Sequence, residues 1–336
     1  MKLLKQAVWI LALTVTLYSC SNAKRSADIS NIDLKIEIGR FDRDFWNLDS
    51  ADLQNDLLRL GKKYPELLPI YLERIVEFGK ITDTVTISTI HKFHKDTSVI
   101  HLYTDALNKY QDVSDIENKL TDAFKRAKYF FPDAETPQIC MHVSGLNQSI
   151  VVGEHFISLS TDNYMGSDYP LYKRVMIYNY LRPNMCREKI TSDYVTAFLS
   201  AEFPFFSQKR LLLDEMIYKG KIIYALSLLM PNEPEHWLIG YTQEQLAWAN
   251  HYEKDIWLTM LKQQQLFSHD PMLTVQYMND APFTAPIAQD SPGRLGVFMG
   301  WKIVESYMRK EQDISPLELM KNTDYSKILE QSGYRP

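Results

Sequence analysis

Eight histidines and three cysteines are the residues of this 336-residue chain best suited to hold a metal or attack a carbonyl. Their spacing decides whether they can. The His-Glu-x-x-His pattern, which sets two imidazoles one helical turn apart around a general base, does not occur. His91, His94 and His101 form the tightest group. On a helix His91 and His94 would share a face. The preceding Val85-Thr86-Ile87 is rich in strand formers, however, and a strand would send the two rings to opposite sides. No acid is placed to complete a site with them, so surface or turn histidines are the plainer reading. Glu154 and His155 sit in a strand-like run, where neighbours face apart. Cys140 lies among apolar residues and reads as a buried, inert thiol. Whether it pairs with Cys186 is left open, because sequence gives no distance.

Phosphate and acyl-transfer chemistry lack their signatures too. The chain has no Gly-x-Ser-x-Gly elbow, no P-loop and no Gly-x-Gly-x-x-Gly. Glycines around Arg294 (Gly293, Gly296, Gly300) could bring backbone close to a ligand, but Gly296 and Gly300 are four apart and suit close helix packing better. Asp214-Glu215 is the acidic pair in the most apolar setting, between Leu211-Leu212-Leu213 and Met216-Ile217. A buried carboxyl there could serve as an acid or base through a raised pKa. The commoner outcome is an ion pair, with Lys219 or Arg210 as partner. Glycoside chemistry would need a second carboxylate about 5–10 Å away, and helical neighbours point about 100° apart. The candidate cleft residues are therefore Asp214, Glu215, Lys219 and Arg294, with no metal ligand and no cofactor assigned.

The elements that must position these residues read as mostly helical with a small sheet, an α+β chain. Ile32, Leu34, Ile36 and Ile38 alternate like a half-buried strand. Helical spacing follows over 50–64 and again from Leu67 to Phe78. Ser114-Asp115-Ile116-Glu117 reads as a capping box opening a helix that ends near Phe131-Pro132. After Pro137, alternation at Ile139, Met141 and Val143 and across 149–160 predicts two strands joined around Gly145-Leu146-Asn147. Helices are then expected over 191–202, 208–230, 242–266 and 293–307, with a last short one opened by Ser315-Pro316-Leu317-Glu318. There is no internal repeat.

Composition bounds the partners. Hydrophobic residues make up 45% and charged residues 24%, enough apolar side chain for a core. Lys plus Arg (37) nearly balance Asp plus Glu (42), so no basic field for nucleic acid is present. Three cysteines cannot build a disulfide scaffold. The N-terminus sets the compartment. Lys2 and Lys5 precede an apolar run over 7–18, too short to span about 30 Å of hydrocarbon and suited to a signal sequence. Leu17-Tyr18-Ser19-Cys20 at its end resembles a bacterial lipobox. Cleavage before Cys20 would leave it as the lipid-bearing terminus, and each buried CH₂ of the acyl chains contributes about 0.8 kcal/mol to holding the protein on a bilayer. The polar tether that follows has no acidic cluster, and an outer-membrane lipoprotein facing the periplasm is expected. The divisions read as a signal peptide over 1–19, a tether over 20–31, a mainly helical region over 32–135 and an α+β region over 136–336 that forms one unit with it.

Several ordered segments resemble the gliding-motility lipoprotein GldB family of Bacteroidetes. They include Tyr129-Phe130-Phe131-Pro132, Leu159-Ser160-Thr161-Asp162-Asn163-Tyr164-Met165-Gly166, Leu212-Leu213-Asp214-Glu215-Met216-Ile217-Tyr218-Lys219-Gly220-Lys221 and Ser291-Pro292-Gly293-Arg294-Leu295-Gly296. The resemblance implies a periplasmic accessory protein, anchored to the membrane at Cys20, whose partners are other proteins of the gliding apparatus and the associated type IX secretion machinery. The order of strand, short helix and longer helix over 149–230 also looks like a distant relative of zincin metallopeptidases. In that likeness the helix over 191–202 would carry two histidines and a glutamate, but it reads Asp193-Tyr194-Val195-Thr196-Ala197-Phe198. The residue before Gly220, where a third ligand would stand, is Lys219, whose ammonium cannot donate a lone pair. The likeness thus implies a zincin-like body with a degenerate, metal-free site and no catalysis. The alternative is a peptidase- or glycosidase-like hydrolase using Asp214 and Glu215.

Overall fold

The computed structural model describes residues 27–336; the segment over 1–19, Cys20 and the start of the tether lie outside the described residues. Among the described residues six helices precede the sheet: α1 (Phe41–Trp46), α2 (Leu53–Lys63), α3 (Leu67–Ile70, continuing as a π turn Tyr71–Ile75), α4 (Thr84–Phe93), α5 (Thr97–Lys109) and α6 (Ser114–Phe130). The strands are β1 (Gln138–His142), β2 (Ile150–Val152) and β3 (Phe156–Ser160). Then come α7 (Pro170–Arg174), α8 (Ile190–Glu202), α9 (Leu212–Leu229), α10 (Glu235–Ile239), α11 (Gln243–His251), α12 (Glu253–Lys262), α13 (Pro271–Met278), α14 (Leu295–Lys310), α15 (Pro316–Lys321) and α16 (Tyr325–Ser332). The chain is mostly helical with one small sheet, the α+β class expected. A single hydrophobic cluster runs from Ile36 to Ile328.

The sheet has three strands where alternation suggested two. β3 is central, parallel to β1 (Ile139 opposite Ile157) and antiparallel to β2 (Val151 opposite Ser158). The alternating run over 149–160 is broken at Gly153-Glu154-His155. There Glu66 accepts the backbone N–H groups of Glu154 at 3.1 Å and His155 at 3.3 Å, and the chain folds back as a hairpin. The strand expected at Ile32 to Ile38 is extended but unpaired. Ile36 donates its N–H to Thr121 Oγ1 at 3.0 Å and Ile38 to Glu117 Oε1 at 2.9 Å, so helix side chains take the bonds a sheet would have made. Only Gly39 reaches β1, bridging to Cys140. Glu117 is thereby spent, and the capping box expected at Ser114 does not form; Asp112 accepts the Ser114 N–H at 2.9 Å instead.

Tertiary packing also overrides local preference at 84–93. Val85-Thr86-Ile87 lies in α4 because Ile90 and Thr86 are buried on its inner face, and a half-buried helix outweighs β-branched propensity. His94 caps that helix and packs against Phe45 and Trp46, its Nε2 buried without a hydrogen-bond partner. The helix opening expected at Ser315 forms as a capping box (Glu318 N–H to Ser315 Oγ, 3.2 Å), and Thr242 opens its helix in the same way (Gln245 N–H to Thr242 Oγ1, 3.2 Å). The helix expected over 242–266 is interrupted at Tyr252. Besides α4, six helices among the described residues are additions to the expected set: α1, α5 (opened by Asp96), α7, α10, α13 and the terminal α16.

The framework is the crossing of α9 and α14. α9 is buried on nearly all sides, as a helix apolar all round must be. At the crossing Gly220 lies against the Gly300 carbonyl, and a Cβ on Gly300 would overlap the Met216 carbonyl. Gly296 and Gly300 do allow close packing, but to different neighbours: Gly296 faces α13, where a Cβ would lie 2.5 Å from Met278 Sδ. Backbone cannot move aside as a side-chain tip can, so Gly300→Ala should destabilise by about 3 kcal/mol or more. Gly61→Ala in α2 is the contrast. Its Cβ would meet Leu68 Cδ2 at an ordinary 3.5 Å, and helix propensity should stabilise it by about 0.5–1 kcal/mol. Urea unfolding of the two variants checks both signs.

Candidate functional site

The turn before α8, the N-terminal half of α8, the middle of α9 and the start of α14 enclose a polar cleft of about 170 Å³. Arg294 stands at its mouth in a left-handed conformation (φ +61°), with Nη1 3.6 Å from Asp280 Oδ1. Gly240, itself at φ +77°, keeps the space open; a Cβ there would lie 2.9 Å from Arg294 Nη1. Asn184 Nδ2 donates to the Gly240 carbonyl at 2.9 Å, and the Tyr241 hydroxyl donates to the Gly293 carbonyl at 2.7 Å. These bonds fix the two loops that flank the guanidinium.

On the opposite wall a buried ammonium is fully engaged. Lys189 Nζ is 3.1 Å from Asp193 Oδ1 and donates to the Trp237 carbonyl at 2.8 Å and to Ser192 Oγ at 3.1 Å. The other carboxylate oxygen of Asp193 accepts the Tyr164 hydroxyl at 2.8 Å. Asp193, at the first position of the helix segment where a metal-binding pattern would begin, thus has a partner on each oxygen. Thr196, one turn on, lines the same cleft with Ile223 of α9. Among the described residues no group of three or more His, Cys, Asp or Glu is arranged to hold a metal.

Of the four residues singled out from sequence, Arg294, Lys219 and Glu215 come within electrostatic reach of one another, and Asp214 faces another cleft. Arg294 lines the polar cleft. Lys219 and Glu215 precede Ile223 at four-residue intervals on α9 and so lie along its cleft-facing stripe. Desolvation and then the Arg294 charge push the Lys219 ammonium below its ordinary range, against the pull of Glu215. Desolvation raises Glu215, with Lys219 opposing. Asp214 belongs elsewhere. Its Oδ2 accepts the Ser207 hydroxyl at 2.5 Å and the Leu211 N–H at 3.1 Å, closing the first turn of α9. It lines a different cleft, with Gln208 and Ser326. Lys189, Asp280, Asn184 and Tyr164 were not identified from sequence; the four-residue spacing of Lys189 and Asp193 was the available signal.

A second polar cluster closes the C-terminal end of the sheet. Asp162 accepts the Ser144 N–H at 3.1 Å and the Leu146 N–H at 2.7 Å, holding Gly145 and Leu146 in left-handed conformations in the link between β1 and β2. Burial raises its pKa against those bonds. His142 Nδ1 pairs with Ser158 Oγ at 2.8 Å, and burial lowers the imidazole to about 3. Cys140 and Cys186 are both free. Burial pushes Cys140 up to about 12 and Cys186 to about 11, so neither is an activated thiol.

The family model of the gliding motility protein GldB matches residues 22–336. The chain belongs to that family. It is a gliding-motility-related protein. Comparison with curated proteins and with solved structures found no match to either. No described helix is long and apolar enough to cross a membrane.

Two outcomes test the site. Removing Asp193 strands a buried ammonium, so Asp193→Ala should cost about 3 kcal/mol. Arg294→Ala, breaking a looser and more exposed pair, should cost under about 1 kcal/mol. Denaturant midpoints compare them. For His142 the folded pKa lies below the unfolded one, so between pH 6.5 and about 3 the unfolded chain binds a proton that the folded chain refuses, and stability is lost as pH falls. His142→Gln should flatten unfolding free energy against pH near 5 by about 1.4 kcal/mol per pH unit, the value of one proton. Asp162 acts with opposite sign in both proteins and leaves the difference intact. Equal slopes would contradict this account of His142.

Proposed function

We propose that this chain is a lipid-anchored accessory of the gliding apparatus. Cys20 holds it on the periplasmic face of the outer membrane, and it works by binding rather than by catalysis beside the type IX secretion machinery. The observation that carries the reading is the electrostatic closure of the cleft. Lys189 is matched by Asp193 within 3.1 Å, and Arg294 faces Asp280 at 3.6 Å. Acid–base or metal-assisted hydrolysis needs a carboxylate turned toward substrate, and Asp193 is held in place by the Lys189 ammonium on one oxygen and the Tyr164 hydroxyl on the other. Lys219 stands where the zincin-like layout would put a third ligand. The order β3, α8, α9 supports a zincin-like body put to another use.

The hydrolase reading loses its main support in Asp214, whose carboxylate closes a helix turn. Membrane attachment is the direct test. In a gliding host, Cys20→Ser should move the protein from the membrane to the soluble fraction and reduce colony spreading. Membrane retention of that variant would remove the anchor, and stoichiometric zinc in the purified protein would overturn the metal-free reading.

A further inference from the structure

β2 is an edge strand. Its ladder to β3 uses residues 149, 151 and 153: Ser160 donates to the Ser149 carbonyl at 2.8 Å and Gly153 to the Phe156 carbonyl at 2.9 Å. Ile150 and Val152 stand opposite Leu159 and Ile157 between those bonded pairs. In an antiparallel ladder such residues turn their N–H and C=O groups away from the partner strand. Among the described residues no strand lies beyond them. The Ile150 carbonyl is covered by the Gln148 side-chain amide at 3.2 Å, a contact that an incoming strand can displace. Val152 is 44% exposed.

Past Val152, at the hairpin end of the sheet, lies a cleft of about 490 Å³ bounded by the β2–β3 hairpin, the segment that leads into β1 and the C-terminal turn of α8. Its apolar lining comes from Val152, Phe156 and Phe198. Four carboxylates, Asp133, Glu135, Glu154 and Glu202, surround it, and among the described residues no lysine or arginine lines it. His155 lies about midway between two of them, 4.0 Å from Glu135 and 3.9 Å from Glu154. Edge amides, an apolar strip and one sign of charge are the three things a strand-adding peptide reads: main-chain bonds give affinity, and side-chain environment selects the partner.

We propose that this edge and the cleft at its end bind an extended basic segment of a protein partner, which adds to β2 as a fourth strand and, continuing past Val152, carries lysine or arginine side chains into the acidic cleft beside Glu154 and Glu202. The proposal goes beyond the accessory role and does not need the anchor at Cys20, so the two fail separately.

The test is fluorescence anisotropy on full-length protein in detergent, with a labelled peptide of alternating lysine and valine. Saturable binding is expected, with at least about tenfold weaker binding by the glutamate–valine counterpart and by the Glu154→Lys/Glu202→Lys variant. Val152→Pro removes an outward N–H that the native ladder does not use, and it should weaken binding about tenfold. The same peptide N-methylated at alternate residues should bind as poorly to the unaltered protein, so the main-chain claim stands independently of how Val152→Pro folds. Absence of saturable binding, equal binding of the glutamate peptide, or undiminished binding of the N-methylated peptide would each overturn the proposal.

Discussion

The backbone contact between α9 and α14 is the constraint on which the rest of the structure depends. Two helices approach this closely only where neither carries a Cβ, and Gly220 and Gly300 meet that condition at one point. The approach lets α9 be covered along its length, by α14 and also by α16 and α8. It also sets the cleft. Arg294 immediately precedes α14, and Ile223 follows Gly220 by one turn on α9. The guanidinium is therefore presented to the cleft by the same crossing that seals the core, and a shift at the glycines would move it.

Buried charge in this molecule is used for joining elements. Lys189 ties α8 to the backbone of α10 and to Asp193. Lys221 does the same between α9 and the end of α15. Its ammonium donates to the Met320 carbonyl at 3.0 Å and the Asn322 carbonyl at 2.7 Å, and sits 5.2 Å from the Tyr325 ring centre. It thereby serves carbonyls that a helix end leaves unpaired. Burial pulls its pKa down to about 8. Asp214 closes the first turn of α9 and Asp162 a sheet link. Each of these groups has the burial expected of a catalytic residue. The difference lies in its partners: main-chain N–H and C=O groups, with Asp193, Ser207 and Ser160 beside them, tie each charge to the elements it joins.

Much of the architecture was legible from the chain. Helical spacing and Pro or Ser punctuation placed α8, α9, α14 and α15 to within a few residues, because each is long or clearly capped. The errors share a cause. Ile32 to Ile38 has strand alternation, and Ile36 and Ile38 are buried as it implies, but their N–H groups found Thr121 and Glu117 before any strand. Val85 to Ile87 has strand composition, yet the core needed a helix face there. The candidate site was legible only in fragments. Arg294 was visible from the glycines around it and Lys219 from the family-like segment, whereas Asp280, Asn184 and Lys189 come from segments with no shared pattern.

Sequence alone determined the α+β class, the family, the missing His-Glu-x-x-His pattern and the balance of charge, since these depend on residue type and local spacing. Tertiary structure decided which charges oppose one another, that Asp214 is a helix cap and Arg294 a cleft residue, and that β2 ends the sheet. Those facts depend on distances between segments far apart in the chain, and side-chain chemistry fixes what a group can bond to without fixing which group arrives beside it.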